Sequence, residues 1–508
     1  MAVSLRRKRE SPRGRYTPNL WPVWIVAPLA LIAAGVLGWV IYHYAYDHFA
    51  QAAADQKPPK PVNINDVLKA TVTALTLIGA VLAGLYAYRK QLLAEGDAHR
   101  ADASQLAERY TTAAEQLGHD QAAVRLAGVY ALARLADDWT EQRQVCIDVL
   151  CAYLRMPYEP NPTAPSHKEG EREVRQTIIR VIRDHLRQPD DPISWCQHSF
   201  DFTGATFDGG DFRESHFRAE VDFSGAAFTG GTVSFVSAMF SDGTVHFDNA
   251  AFSDGTVDFR RATFSGGTVH FRHAAFSGGT VTFGHAAFNG GTVDFGRATF
   301  SDGTVNFGGA TFSGGTVDFD LATFSGSTVG FGNATFSGST VTFDNATISA
   351  GTIHFSSATI SAGTVDFSSA TISGGTIHFG RVTISGGTVH FADAMFSAGT
   401  VHFGGAAFSG GTVHFADAAF SGSTVDFGHA AFSGGTVHFS HATFGGSTVN
   451  FGDATISAGT VHFGGAAFSG GTVHFERATL VGGTVTFDDA AFSGTVFEWG
   501  PLPVPAGA

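Results

Sequence analysis

A twelve-residue unit, repeated without interruption, limits this chain more than any other feature. The pattern Thr-Val/Ile-x-Phe recurs 22 times from Thr232 to Phe487, since (487 − 235)/12 + 1 = 22. One copy, Thr268 to Gly279, reads TVHFRHAAFSGG. A fixed short period means stacked copies of one small unit that cannot bury its apolar face alone. Strand side chains alternate faces, so Val269 and Phe271 share one side while Thr268 and His270 share the other. Ala274 and Phe276 repeat the arrangement on the next side. The second apolar site is Phe, or Ile at Ile348, Ile360, Ile372, Ile384 and Ile456, or Leu480. A Gly-Gly or Ser-Gly pair then supplies a corner, because glycine accepts backbone angles closed to other residues. The same economy explains 47 Phe beside 10 Tyr and 6 Trp.

Two coil sizes satisfy this pattern. One unit per coil gives a flat, two-sided solenoid whose thin core is crowded by two Phe. Two units per coil give a four-sided coil of 24 residues, which we prefer. Twenty-two units then make eleven coils, a rod on the order of 50 Å at about 4.8 Å per coil. Each buried Phe contributes roughly 2–3 kcal/mol. The helices before the repeat cap its first coil, and TVFEWGPLPVP caps the last, with Trp499 over the end and proline blocking strand addition.

The repeat begins differently. In FDFTGATFDGGDFRESHF, Phe202, Phe207, Phe212 and Phe217 are five apart, with Ala205, Gly210 and Ser215 two before three of them. This resembles the pentapeptide-repeat family over roughly residues 200–499. The resemblance implies a right-handed four-sided β-solenoid. It also implies binding rather than catalysis, since some members mimic duplex DNA and bind a topoisomerase.

Two uncharged stretches precede the repeat. Leu20 to Tyr42 is 23 residues with Trp21, Trp24, Trp39 and Tyr42 near its ends, long enough to span a bilayer and anchored as aromatic residues prefer. Ala70 to Tyr88 also lacks charge, and Lys69 can snorkel from its edge. Small residues four apart (Ala34 with Gly38, Gly79 with Ala83, Ala80 with Gly84) allow close helix approach in lipid. Arg6, Arg7, Lys8, Arg9, Arg13 and Arg15 lie before the first stretch, and Arg89 and Lys90 follow the second. The connection has only Lys57 and Lys60, offset by Asp47, Asp55 and Asp66. The positive-inside rule therefore puts both termini in the cytoplasm of a multi-pass protein in the cell membrane. A cleaved signal peptide is the rival reading, disfavoured by the length of the apolar run and by the second span.

The expected domains are a basic tail (1–19), two transmembrane helices (20–88), a helical region (89–195), the solenoid (196–499) and a tail (500–508). Residues 90–156 read as helix, with Val124, Gly128, Ala131 and Leu135 on one face and Arg125 and Arg134 elsewhere. A second stripe holds Cys146, Val149, Leu150, Tyr153 and Leu154. After the break PYEPNPTAPSHKEG, Glu171 to Arg187 buries Val174, Ile178, Val181 and Ile182, completing a small bundle. The segment YTTAAEQLGHDQAAVRLAGVYALARLADDW resembles one found between membrane helices and pentapeptide repeats in a group of actinobacterial proteins. His119 and Asp120 within it read as a surface turn. Cys146, Cys151 and Cys196 lack disulfide or zinc spacing and read as buried thiols.

The outward position after Val is His at 246, 270, 354, 378, 390, 402, 414, 438, 462 and 474. In a 24-residue coil, His390, His414, His438 and His462 stack on one side and His354, His378 and His402 on another. No constant second ligand accompanies them, so a polar solvated face is expected and no metal site. The outward Thr, present in all 22 units, lacks the second Thr column of an ice-binding face. The SGG strings are corners, since neither a helix nor Lys-Ser/Thr follows them. No nucleophile–base pair stands out. The expectation is therefore a non-enzymatic, membrane-anchored scaffold for an unknown protein partner, with no catalytic residues, no cofactor, no metal and no small-molecule substrate identified. The alternative is a DNA mimic that binds a topoisomerase. Residues 228–499 hold 18 Asp+Glu and 6 Lys+Arg, hence 6 − 18 = −12, which permits mimicry and disfavours binding nucleic acid itself.

Overall fold

The computed structural model describes residues 23–55, 61, 63–241 and 243–504. The chain divides into two compact units between Gln105 and Leu106. The first unit contains α1 (Val23–Ala54) and most of α2 (Ile64–Leu117). Among the described residues, one segment is long and apolar enough to cross a membrane: Ile64–Gln91, with mean hydropathy 1.8. It contains the expected span Ala70 to Tyr88. The expected span from Leu20 starts outside the described residues, and its described part, in α1, is not a second such segment. Among the described residues, one apolar helix of spanning length is therefore found, and the first expected span is described only in part. The basic tail, Lys57 and Lys60 also lie outside the described residues. Of the small residues, Gly38 does allow close approach, since a Cβ there would stand 3.4 Å from Leu75 of α2. Gly79 and Gly84 have nothing within 4 Å among the described residues.

The second unit opens with a helical cap. The helical run expected over 90–156 is broken: α2 ends at Leu117, and α3 (Ala122–Asp138) and α4 (Arg143–Arg155) follow. A Cβ on Gly128 would meet the Leu117 backbone nitrogen at 2.5 Å, so glycine is what lets α3 cross the end of α2. The buried stripe of α3 is Arg125, Gly128, Val129, Leu132, Ala133, Leu135 and Ala136. Gly128 and Leu135 are buried as expected, while Val124 and Ala131 are only half-buried, so the face is turned by about one residue. Arg125 points inward because its guanidinium is held by the carbonyls of His119 and Asp120 and pairs with Glu171. The expected stripe of α5 (Glu171–Leu186) is buried as read. All three cysteines are free and buried. Burial pushes the Cys146 thiol up to about 11 and raises Cys151 and Cys196 as well.

The solenoid follows. Its first coil is β1 (Phe200–Asp201), β2 (Thr206–Phe207), β3 (Gly210–Asp211) and β4 (His216–Phe217). Each founds one parallel sheet, here faces 1 to 4. Three faces have 13 strands and one has 12, so the right-handed rod has about 12 coils. Thr268 pairs with Thr292, and Phe252 with Phe276, so the coil is 24 residues and the flat alternative is excluded. The coil also grows. Phe200 pairs with Val221, 21 residues on, before the register settles at 24 with Val221 on Val245. The inserted residues all enter at the Ser-Gly-Gly corners, between faces 2 and 3 and between faces 4 and 1. The Phe-x-x-Ala corners stay tight.

Inside, each Phe stacks on its copy one coil away, as Phe247 on Phe271 at 4.7 Å. The columns under faces 1 and 3 meet edge-on at the centre, as Phe271 with Phe283 at 6.1 Å, an arrangement aromatic quadrupoles favour. Where Ile348, Ile360, Ile372 and Ile384 replace Phe at the sides, Ile353 and Ile377 replace Val on face 3, and Val382 replaces Ala. All are buried. Volume lost at one position is returned at its neighbours, as a close-packed interior requires. At the far end Trp499 stacks on Phe497 at 4.3 Å. Phe487, Phe492 and Phe497 beneath it are half-buried.

Candidate functional site

With the interior restricted to apolar exchanges, polar and charged differences between coils lie on the outward side chains. The residue after Val has a structural use when it is Asp or Asn. Asp294 Oδ1 accepts from the Gly296 backbone N–H at 2.8 Å, and Asn450 Oδ1 from Gly452 at 2.8 Å. These are Asx turns that brace the corner. No His at this position makes that bond among the described residues. The His columns therefore serve no turn, and they segregate. His390, His414, His438 and His462 stack on face 1 at 4.9–5.0 Å. On face 3, His354 lies 4.8 Å from His378, which meets His402 edge-on at 5.8 Å. Both columns follow the expected register.

Burial holds His354, His378, His414 and His438 below the ordinary imidazole value of 6.5, and neighbouring rings add charge repulsion at the last three. A folded imidazole with a depressed pKa binds fewer protons than the unfolded chain between the two values. These four therefore stabilise the rod fully above about pH 6.5, and that contribution is lost as pH falls toward the folded pKa. Denaturant midpoints should fall between pH 7.5 and 5, and combined His378→Gln, His414→Gln and His438→Gln should flatten the slope. An unchanged slope in the triple variant would exclude the columns as its source. No group of three or more His, Cys, Asp or Glu able to hold a metal occurs among the described residues.

A depression of about 870 Å³ runs across coils at the corner between faces 3 and 4. Its floor is Gly404, Gly428 and Gly452. One wall is His402, Asp426, Asn450 and His474. The other is Arg381, His429, Asp453 and Arg477. The first wall is cross-linked: His402 Nδ1 is 2.7 Å from Asp426 Oδ2, and Asn450 Nδ2 donates to Asp426 Oδ1 at 2.8 Å. In the second, Arg477 donates twice to Asp453, at 2.9 and 2.8 Å. The arrangement offers a polar groove of both signs and no catalytic constellation.

The second wall escaped the sequence reading, which looked only at the position after Val. Arg381, His429, Asp453 and Arg477 take positive φ of 55–58°, which turns their side chains off the end of the strand. The available signal was a varied residue just before the alanine, recurring every 24. His119 and Asp120 are exposed, as expected for a surface turn.

No protein-family model and no curated protein matches the chain. Among solved structures it is similar to trypsin-treated QnrB1, a plasmid-mediated fluoroquinolone resistance protein. That match has 15% identity, covers 44% of this chain and 89% of that one, and has a TM-score of 0.15. At that score the likeness carries no argument. The coil register itself defines the class, a right-handed four-sided β-solenoid whose first coil keeps the five-residue spacing of pentapeptide repeats.

Proposed function

We propose that this protein is a membrane-anchored, non-enzymatic scaffold of the membrane-tethered pentapeptide-repeat type, whose rod binds a protein partner through the groove between faces 3 and 4. The observation that carries this reading is that the core exchanges only apolar residues for one another, while polar and charged identity varies in the outward columns. The groove is where those columns form a concave surface. The apolar segment Ile64–Gln91 supports a tether. The basic residues at the N-terminus and at Arg89 and Lys90 support cytoplasmic termini and a cytoplasmic rod.

One observation favours the second reading, a DNA mimic that engages a topoisomerase. Several carboxylates align along the rod. Asp294 and Asp318 are register neighbours on face 1, Asp366 lies two coils on, and Asp320 and Asp344 occupy the adjoining corner. Burial and the like charges around them raise Asp318 and Asp344. One pair of experiments separates the readings. Proximity labelling in the native cell should find a partner that Arg381→Glu, His429→Glu and Arg477→Glu together abolish. In a supercoiling assay the detergent-solubilised chain should leave topoisomerase active. Unchanged labelling with strong inhibition would reverse the assignment.

A further inference from the structure

A second cavity lies in the helical cap, away from the rod's faces. It holds about 390 Å³, within the range of small-molecule sites. Leu117, Val149, Ala152, Met156 and Pro157 form an apolar wall, and Arg125, Ser166 and Lys168 bring polar groups to it. Arg125 is the unusual member, being only 1% exposed. Its Nη1 donates to the carbonyls of His119 and Asp120 at 3.0 and 2.5 Å. Its Nε and Nη2 donate to no acceptor among the described residues. Glu171 Oε2 stands 3.3 Å from Nη2, close enough to share charge without a hydrogen bond along the N–H direction. That carboxylate is already engaged by the Tyr153 hydroxyl at 2.9 Å.

Nε and Nη2 form the side edge of a guanidinium, two parallel donors that match the two oxygens of a carboxylate. A buried guanidinium edge without acceptors is costly, and native proteins rarely leave one so. We propose that this cavity binds a small, partly apolar carboxylic acid. Its carboxylate takes the Nε/Nη2 edge of Arg125, which is closed to water in the free protein and turns toward the cavity to receive it; its hydrocarbon lies against Val149, Ala152 and Met156, and Lys168 adds positive charge at the wall. Glu159 and Glu171 also line the cavity, so one negative charge fits while a doubly charged phosphate is repelled. The apolar wall selects for a tail over a bare ion.

The test uses the full chain in detergent micelles, with empty micelles as the blank and hexanoate as probe. Saturation-transfer NMR should show a saturable hexanoate signal. Hexan-1-ol, which keeps the tail without the charge, should bind about tenfold more weakly or worse. Inorganic phosphate should not compete. Ala152→Leu, which fills the apolar wall without touching a charge, should remove the hexanoate signal. Arg125→Lys, which keeps the charge and loses the fork, should erase the preference for hexanoate over hexanol. Lack of saturable hexanoate binding would overturn the proposal and leave the Arg125 edge to water or Glu171. Equal binding of hexanol, competition by phosphate, or an unaffected Ala152→Leu would overturn it equally.

Discussion

Phe331→Ala should destabilise the solenoid by about 3–5 kcal/mol, the range for emptying a fully buried aromatic site. Phe331 is 0% exposed. It stacks on Phe307 and Phe355 at 4.8 Å each and meets Phe319 and Phe343 edge-on at 6.3 and 6.4 Å. Rigid coils above and below leave the cavity little room to close. Phe487→Ala should cost far less, because its ring is half-buried and stacks on one coil only, at Phe463. In a nearly one-dimensional array each coil feels mainly its neighbours, so the damage should stay local. Limited proteolysis of Phe331→Ala should open new sites between residues 307 and 355 while the distal coils resist. Equal midpoint shifts for the two variants would mean that the rod does not stabilise itself coil by coil.

This locality also explains what could be read in advance. The strand period, the inward Val, Phe and Ala, and the His columns all follow from alternation of side chains and a fixed repeat. Coil size followed from one packing argument, that two Phe do not fit a flat core. The growth from 21 to 24 residues was visible as a change in Phe spacing, but which corner absorbs it depends on where the strands lie. The groove's second wall depended on non-glycine residues at positive φ, which spacing alone does not announce. In the cap, apolar periodicity located the helices but missed the rotation of α3. Arg125 counts as polar in any periodicity, yet the carbonyls of His119 and Asp120 and the carboxylate of Glu171 draw it inward. A buried ion pair is a tertiary decision, and helical spacing along one segment holds no record of it.

The same reasoning makes Arg175 the residue on which the junction of cap and rod depends. It is 3% exposed and donates to the carbonyls of Tyr153, at 3.4 Å, Leu154, and Thr206 of the first coil, at 3.1 Å. Its guanidinium also lies 4.5 Å from the Tyr158 ring. Burial lowers its pKa, with the charges of Glu171 and Asp208 opposing. Arg175→Met would keep much of the apolar stem and leave those three carbonyls without their donor, at about 1–3 kcal/mol for each one truly stranded. Beneath the cap, Gly210 of β3 lies against Ile179 of α5, where a Cβ would stand 3.1 Å from Ile179 Cδ1. A loosened cap would bare the parallel edges of β1 to β4, which then template pairing with another chain. Hydrogen exchange should therefore lose protection from Phe200 to Phe217 and keep it beyond Phe247, and sedimentation should show new self-association. Uniform loss along the rod would instead mean that Arg175 supports the whole fold, and unchanged protection would mean that α5 holds the first coil through its apolar face alone.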